Sequence, residues 1–461
     1  MFLQSNFAQS FQSPFLRIIV AVIAIGLLYV LWREVRKIPA KLMTLMATAF
    51  IDMIGVLMIF PLLPFYVQTF GGSGITIFGY HLGIGILSGV IISSFTVAQL
   101  ISAPMWGRFS DRVGRRPTLI IALIASAIAY LIFGFADSLF LLFLSRVVQG
   151  AGGGTVGVIQ AYVADSTAPH DRARALGWLS ATTNLGVALG PVLGSFAITL
   201  GKRDLFPGPA TLQMGHAAPG IIAAILCLIN IAFAARYLTE SRDATEHAPV
   251  EGEVKRTSRE VILRVISHSR ENSSRLIWIY AIAMGAYQGS FSMLALFLNA
   301  RFQVTEQTIG YFFMYVGSIS VFTRVLLLGR MVDWLGETKL SRLGLSLLAL
   351  GVVGMSQSHT LWMLGITVAL IPLGTAFTFP CVTSLLSRVI NARERGLYMG
   401  MQQTYGGVAR AIAPLFFGWS FDKLGVSSPY LIASAFILAT IFLSPQIVHE
   451  AKKPALSERS A

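Results

Sequence analysis

Apolar stretches of about 20 residues, each long enough to cross a hydrocarbon core as a helix, recur through the 461 residues of this chain. They fall at roughly 42–67, 82–103, 117–136, 139–163, 175–200 and 218–237, and again at roughly 275–298, 308–328, 341–357, 360–387, 396–419 and 428–447. The pattern predicts an all-α membrane protein of six helices and six more. The one long polar stretch, 238–273, separates the two sets and reads as a cytoplasmic linker. Within it, apolar Val261, Ile262, Val265 and Ile266 suit a short amphipathic helix lying on the membrane face. The expected organisation is an N-terminal bundle at 40–237, the linker, a C-terminal bundle at 274–448 and a cytoplasmic tail at 449–461. A further hydrophobic segment, about Phe15 to Trp32 within 1–39, precedes the first bundle. No small-residue cleavage site stands before Arg33, so an appended helix is favoured over a removable signal peptide. A signal anchor, or sequence upstream of a start at Met43 or Met46, stays open.

The polar interruptions carry a second pattern. Between the second and third apolar stretches runs GRFSDRVGRRP, Gly107 to Pro117, dense in ionisable side chains and read as a short cytoplasmic loop. Offset by 222 positions, GRMVDWLGETK places Gly329, Asp333 and Gly336 where the first copy has Gly107, Asp111 and Gly114. RARALG, ending at Gly177, is echoed by RGLYMG, ending at Gly400, and Pro191 by Pro414, each at an offset of 223. Such near-constant offsets mean two parallel six-helix repeats. In the first loop the glycines permit a tight connection. Asp111 can accept hydrogen bonds from Arg112, Arg115 or Arg116, or cap a neighbouring helix N-terminus, and so latch the cytoplasmic side shut. In the second copy Glu337, Thr338 and Lys339 replace the Arg-Arg-Pro ending, so a symmetrical latch around Asp333 is not expected.

Composition narrows the class. Hydrophobic residues make up 55% of the chain and charged ones 12%, against about a quarter charged in a soluble globule, and the mean hydropathy is +0.70. The net charge of +14 would suggest nucleic acid, but 27 of the 35 Lys and Arg fall in segments that the helix count places in the cytoplasm, and four outside. That is the positive-inside distribution. The lipid bilayer accounts for the basic balance and no nucleic-acid partner is expected. Cys227 and Cys381 lie in apolar helices, with neither a disulfide framework nor metal-ligand spacing. Gly152 to Gly157 satisfies G-x-G-x-x-G but lies inside a membrane helix, so it reads as helix packing, not a dinucleotide site. No histidine falls deep in a helix and no serine stands in a nucleophile elbow. Neither an enzyme nor a metal or cofactor is expected.

Charges inside the membrane are costly and are functional candidates by default. Asp52 is the one carboxylate well inside any of the twelve stretches, nine residues before Pro61 and so about 13 Å along the helix. A buried carboxylate needs a cation, a hydrogen-bonding shell or a proton, and Arg146 is the candidate nearest in depth. Arg410 sits mid-helix with no acidic partner in view, whereas Arg324 reads as four residues from a cytoplasmic helix end, where it can snorkel. Asp165 reads as solvated at the inner end of the fourth helix. Gly186, Gly190 and Gly194 lie four apart on one face of the fifth helix, beside a bend at Pro191, a spacing that lets helix backbones approach closely. Tyr287, Gln288, Phe291, Tyr311, Phe377 and Tyr405, with Arg410, are candidates to line an apolar pocket with a few polar groups.

The loop pattern G-x-x-x-D-x-x-G-R-R-P, Arg146 in R-x-x-Q-G, the Gly186 to Gly194 row with Pro191, and Asp52 followed by two prolines resemble motifs of the major facilitator superfamily. The glycine row and the first helix are similar to those of its twelve-helix drug/proton antiporters, the tetracycline and multidrug exporters. The resemblance covers roughly 40–450 and implies two six-helix halves rocking about a midplane site, with Asp52 and Arg146 in proton coupling and Gly107, Asp111, Gly114 and the loop arginines in gating. It implies export of small amphiphilic compounds in exchange for protons by a monomer in a bacterial plasma membrane. A proton-coupled uptake permease for a sugar or other metabolite would share the fold and loop motifs. A non-transporting receptor or scaffold is the alternative of another class.

Overall fold

The computed structural model describes residues 40–77, 79–153, 155–167, 171–202, 215–240, 258–391 and 394–443. The appended helix expected within 1–39, most of the linker and the tail at 449–461 lie outside the described residues. The described chain is helical apart from a small hairpin, β1 (Ile75–Ile77) with β2 (Tyr80–Leu82), after the first span. Eight helical stretches are long and apolar enough to cross a membrane. One of them, Ile309–Gln357, is two spans in series, interrupted at Gly336 (φ 73, ψ 156). The bent pair Asn272–Ser292 and Leu294–Phe302, the polar-flecked Arg395–Leu424 and the shorter Ser428–Leu443 bring the spans to the twelve that the hydropathy pattern predicts.

Local sequence explains the breaks. The first span runs as Ala40–Ile59, a 3-10 turn at Phe60–Leu62 and Leu63–Gly71, because Pro61 and Pro64 offer no N–H to the preceding turn. The second span, Ile84–Val113, continues through most of the segment read as a loop, and only Gly114 (φ 109, ψ 160) separates it from the third, Arg115–Gly134. Hydropathy stops at the first arginine, whereas the helix continues into water. Gly336 repeats the break at the same register in the second half. In the linker, Ser258–Ser267 forms the expected short helix, with Val265 buried and its carbonyl accepting the Trp278 indole N–H at 3.3 Å.

The halves meet along two seams, the second span against the eleventh and the fifth against the eighth. Along the eleventh span the clearance grows from outside to inside. A Cβ added at Gly418 would lie 2.2 Å from the Gly85 carbonyl oxygen, one at Gly407 3.1 Å from a Leu100 methyl, and one at Gly400 or Gly396 would meet nothing within 4 Å. The other seam behaves alike. Near its outer end Ser195 Oγ accepts the Gly310 backbone N–H at 2.9 Å and donates to the Glu306 carbonyl at 2.9 Å, and Lys202 pairs with the Glu306 carboxylate at 2.9 Å. A Cβ at Gly177 or Gly329, toward the inner ends, meets nothing within 4 Å. Among the described residues the molecule is closed outside and open inside, an inward-facing arrangement.

Gly114 is a position where this fold resists a side chain. Its positive φ disfavours any L-residue, and an added Cβ would sit 2.7 Å from Glu240 Oε2. Gly114→Ala is expected to cost about 1–3 kcal/mol and to lower the melting temperature in detergent; an unchanged melting temperature would show that the turn can relax.

Candidate functional site

The first four spans enclose a cavity of about 190 Å³ lined by Asp52, Met53, Val56, Phe95, Gln99, Ser126, Gln149 and Gly153. Asp52 is buried, at 5% exposure. Arg146, also buried, lies behind the cavity wall. Its guanidinium donates to Ser145 Oγ at 3.2 Å and to Gln149 Oε1, and stands 5.2 Å over the Phe133 ring. Gln149 thus joins the two sequence candidates, since it holds Arg146 and shares the cavity with Asp52. Tyr130 lies within electrostatic reach of both Asp52 and Arg146. Arg146 Nη2 and Gln149 Nε2 are buried donors without a hydrogen-bond partner among the described residues, which a water or an acceptor on a ligand would satisfy.

The glycine run assigned to helix packing does more than pack. The fourth span breaks between Leu139–Gly152 and Thr155–Ser166, which frees carbonyls that hydrocarbon could not solvate. The second span supplies the donors. Gln99 Nε2 bonds the Gly153 carbonyl at 3.1 Å, Ser102 Oγ that of Gly150 at 3.2 Å, and Trp106 Nε1 that of Ala151 at 2.6 Å. The break therefore forms part of the cavity wall at Gly153.

Gly186, Gly190 and Gly194 in Arg172–Gly201 face the segment of the first span that carries Asp52. An added Cβ would meet Met53 Cβ and the Phe50 carbonyl at 2.8 Å from Gly186, Leu57 Cβ at 2.8 Å from Gly190, and the Met58 carbonyl oxygen at 2.2 Å from Gly194. Gly194, not the central Gly190, makes the closest backbone approach. Any larger residue in this row would push Asp52 and its helix off the fifth span.

At the inner ends the two repeats carry one ion pair with its signs exchanged. Arg115 bonds Asp165 at 2.9 Å and Asp111 at 2.8 Å, so Asp165 is paired, contrary to its reading as a solvated residue. In the second half Glu337, at the position of Arg115, pairs with Arg388, at the position of Asp165, at 2.7 Å, and accepts from Ser384 at 2.8 Å. Asp333 is exposed and Arg112 is exposed. Glu240, which sequence reading passed over, caps the third span by accepting the backbone N–H groups of Arg115 and Arg116 at 2.9 and 3.1 Å, and Arg116 donates to the Ala235 carbonyl at 2.5 Å. The described contacts of Asp111, Arg115 and Arg116 lie within the N-terminal half or with Glu240 at the start of the linker, and none reaches the C-terminal half. Gly107 has open space beside it.

The C-terminal candidates divide. Tyr287 and Phe291 lie tilted against each other at 5.4 Å and continue into Phe379 and Phe313, at 6.4 and 5.4 Å, while Tyr405 meets Trp278 edge-on at 5.3 Å. Gln288 is half-buried on the same helix as Tyr287. Phe377 is packed at 4% exposure with Leu340 and Cys381, and Tyr311 is 53% exposed near the outer start of its helix. Arg324 lies in a π-helical turn at Thr323–Leu327, with the eighth span continuing to Leu335, and donates to Asn184 of the other half at 2.9 Å. Arg410 is half-buried near Gly407 at the other seam.

This architecture, two six-helix repeats meeting along two seams with a polar break beside a buried carboxylate, is that of a membrane transporter. Residues 45–414 and 325–460 match the Major Facilitator Superfamily, and the chain belongs to that family. It is 27% identical over 403 residues to multidrug resistance protein 2 of Bacillus subtilis, covering 87% of this chain and 93% of that protein. It is 24% identical over 400 residues to the class B tetracycline resistance protein of Escherichia coli, covering 86% and 92%. The human organic anion transporter MFSD10 has the same fold, with a TM-score of 0.64 at 22% identity over 88% of this chain and 98% of that one.

The exchanged ion pair can be tested by exchange. Arg115→Glu alone gathers three carboxylates at the inner end and is expected to lower thermal stability, whereas Arg115→Glu with Asp165→Arg restores part of the loss by making the second half's pair in the first. Equal melting temperatures for the single and double variants would show that the pair contributes nothing, as many exposed pairs do.

Proposed function

We propose that this chain exports small amphiphilic compounds in exchange for protons, with Asp52 as the proton-carrying group. The observation that carries the reading is the placement of Asp52: buried in the wall of a cavity, on the helix segment that the Gly186, Gly190 and Gly194 row grips. Proton and substrate occupy the cavity alternately. A ligand can shift the rocking equilibrium only through different affinities for the two states, and mutually exclusive occupancy supplies that difference. Arg146, held by Ser145 and Gln149, keeps a fixed positive charge behind the cavity and helps the deprotonated carboxylate to persist. The aromatic surface of Tyr287, Phe291 and Phe379 offers the opposite half a place for an apolar body. Multidrug and tetracycline resistance proteins among the relatives favour export, and the family's small-molecule substrates fit a monomer working alone.

Everted membrane vesicles given an inward-acid pH gradient test this with a panel of fluorescent cationic, neutral and anionic amphiphiles. Wild type is expected to accumulate at least one member, and Asp52→Asn to lose pH-driven accumulation by about a hundredfold while still inserting at normal levels. Accumulation only in right-side-out vesicles would mean uptake. Undiminished pH-driven transport by Asp52→Asn would move the proton elsewhere.

A further inference from the structure

The motif that marks the inner ends of the second and eighth spans occurs a third time. Gly418, Asp422 and Gly425, in GWSFDKLG, repeat G-x-x-x-D-x-x-G at the outer end of the eleventh span, and Gly425 ends that helix with φ 97, as Gly114 ends the second with φ 109. The Asp422 carboxylate crosses to the opposing half. Its Oδ1 accepts the backbone N–H of Gly85 at 2.8 Å and its Oδ2 that of Ile86 at 2.8 Å.

Those two N–H groups open the second span, where a helix has no intrahelical acceptors for its first turn and presents the positive end of its dipole. Other spans are capped without help from the opposing half, the third by Glu240 just beyond the sixth span. Ser138 caps the fourth span and Thr360 the tenth. The second span begins at Gly83, which has no side chain to offer, so its cap is supplied by the other half of the molecule. Around this contact the backbones touch directly. Added Cβ atoms at Gly85, Gly89 and Gly418 would lie 2.5, 2.3 and 2.2 Å from carbonyl oxygens across the seam. Such a cap exists only while the outer ends are together.

We infer that Asp422 is the outer latch of the transport cycle: a positioning residue whose bonds to the second span hold the inward-facing state and must break each time the outer side opens. The carboxylate contributes two charge-assisted hydrogen bonds that the outward-facing state lacks, so removing it shifts the equilibrium outward. Asp422→Asn keeps the shape but has only one acceptor oxygen, and its amide NH2 would confront an N–H.

The full-length protein in proteoliposomes, with Asp422 intact or changed to Asn or Ala, tests the latch. Ser88→Cys, fully buried just inside the latch, reports outer opening to an impermeant maleimide added outside. Gly400→Cys, in open space toward the inner end, reports inner opening to the same reagent added inside. Each signal is read above the parent carrying only Cys227 and Cys381. Loss of the latch is expected to raise outer labelling about tenfold or more, equivalent to about 1.4 kcal/mol, and to lower inner labelling. Unchanged outer labelling overturns the proposal. A rise at both positions also overturns it, because that is loosened packing rather than a shift between two states.

Discussion

Hydrocarbon cannot solvate a charge or a free carbonyl, and the arrangement around Asp52 follows from that constraint. A carboxylate at this depth has to be enclosed by protein, and enclosure needs a helix partner that approaches without side chains. The fifth span provides one, its glycines laid against Phe50, Met53, Leu57 and Met58 on either side of Asp52. Opposite, the fourth span is broken at Gly153, and Gln99, Ser102 and Trp106 bond the carbonyls that the break releases. The result is a recess walled by helices, in which Asp52 can hold a proton and a substrate or water finds an unsatisfied donor at Gln149.

The same economy governs the seams. Rocking halves cannot be held by large interdigitated side chains, since those would have to be unpacked in every cycle. Glycine-to-backbone contacts and a few polar bonds at the outer ends close the molecule there, and the inner ends of the same helices stand apart. Within each half, by contrast, the inner ends are tied by Arg115 with Asp165 and by Glu337 with Arg388. Exchanging the signs keeps the bond and leaves the pair neutral in each half. The repeat thus preserves geometry where it does not preserve residues.

Much of this was legible in the chain. Twelve apolar stretches, offsets of 222 and 223, and the distribution of Lys and Arg were enough for the fold, because hydropathy and charge placement are the forces that select a membrane topology. Asp52, Arg146 and the glycine row stood out as exceptions to those forces. What could not be read was pairing. Nothing in the sequence near Asp165 points to Arg115, or near Arg324 to Asn184. Asn184 is neutral and gave no signal, and Gln149 stood only as the glutamine of R-x-x-Q-G, with nothing to say that it holds Arg146. Asp422 does carry a signal, as a third G-x-x-x-D-x-x-G, but at the outer end of a span, where that pattern does not mark a cytoplasmic loop. Phe377 shows the opposite failure: an aromatic residue on a suitable helix, turned into the packing of its own half.

The central claim is that proton and substrate exclude each other at Asp52, and the pH dependence of binding measures this directly. With purified protein in detergent and a fluorescent amphiphile that wild type transports, affinity is expected to rise with pH, because binding releases the proton that Asp52 held. In Asp52→Asn the affinity is expected to be independent of pH over the same range. A pH dependence in Asp52→Asn equal to that of the wild type would contradict the account.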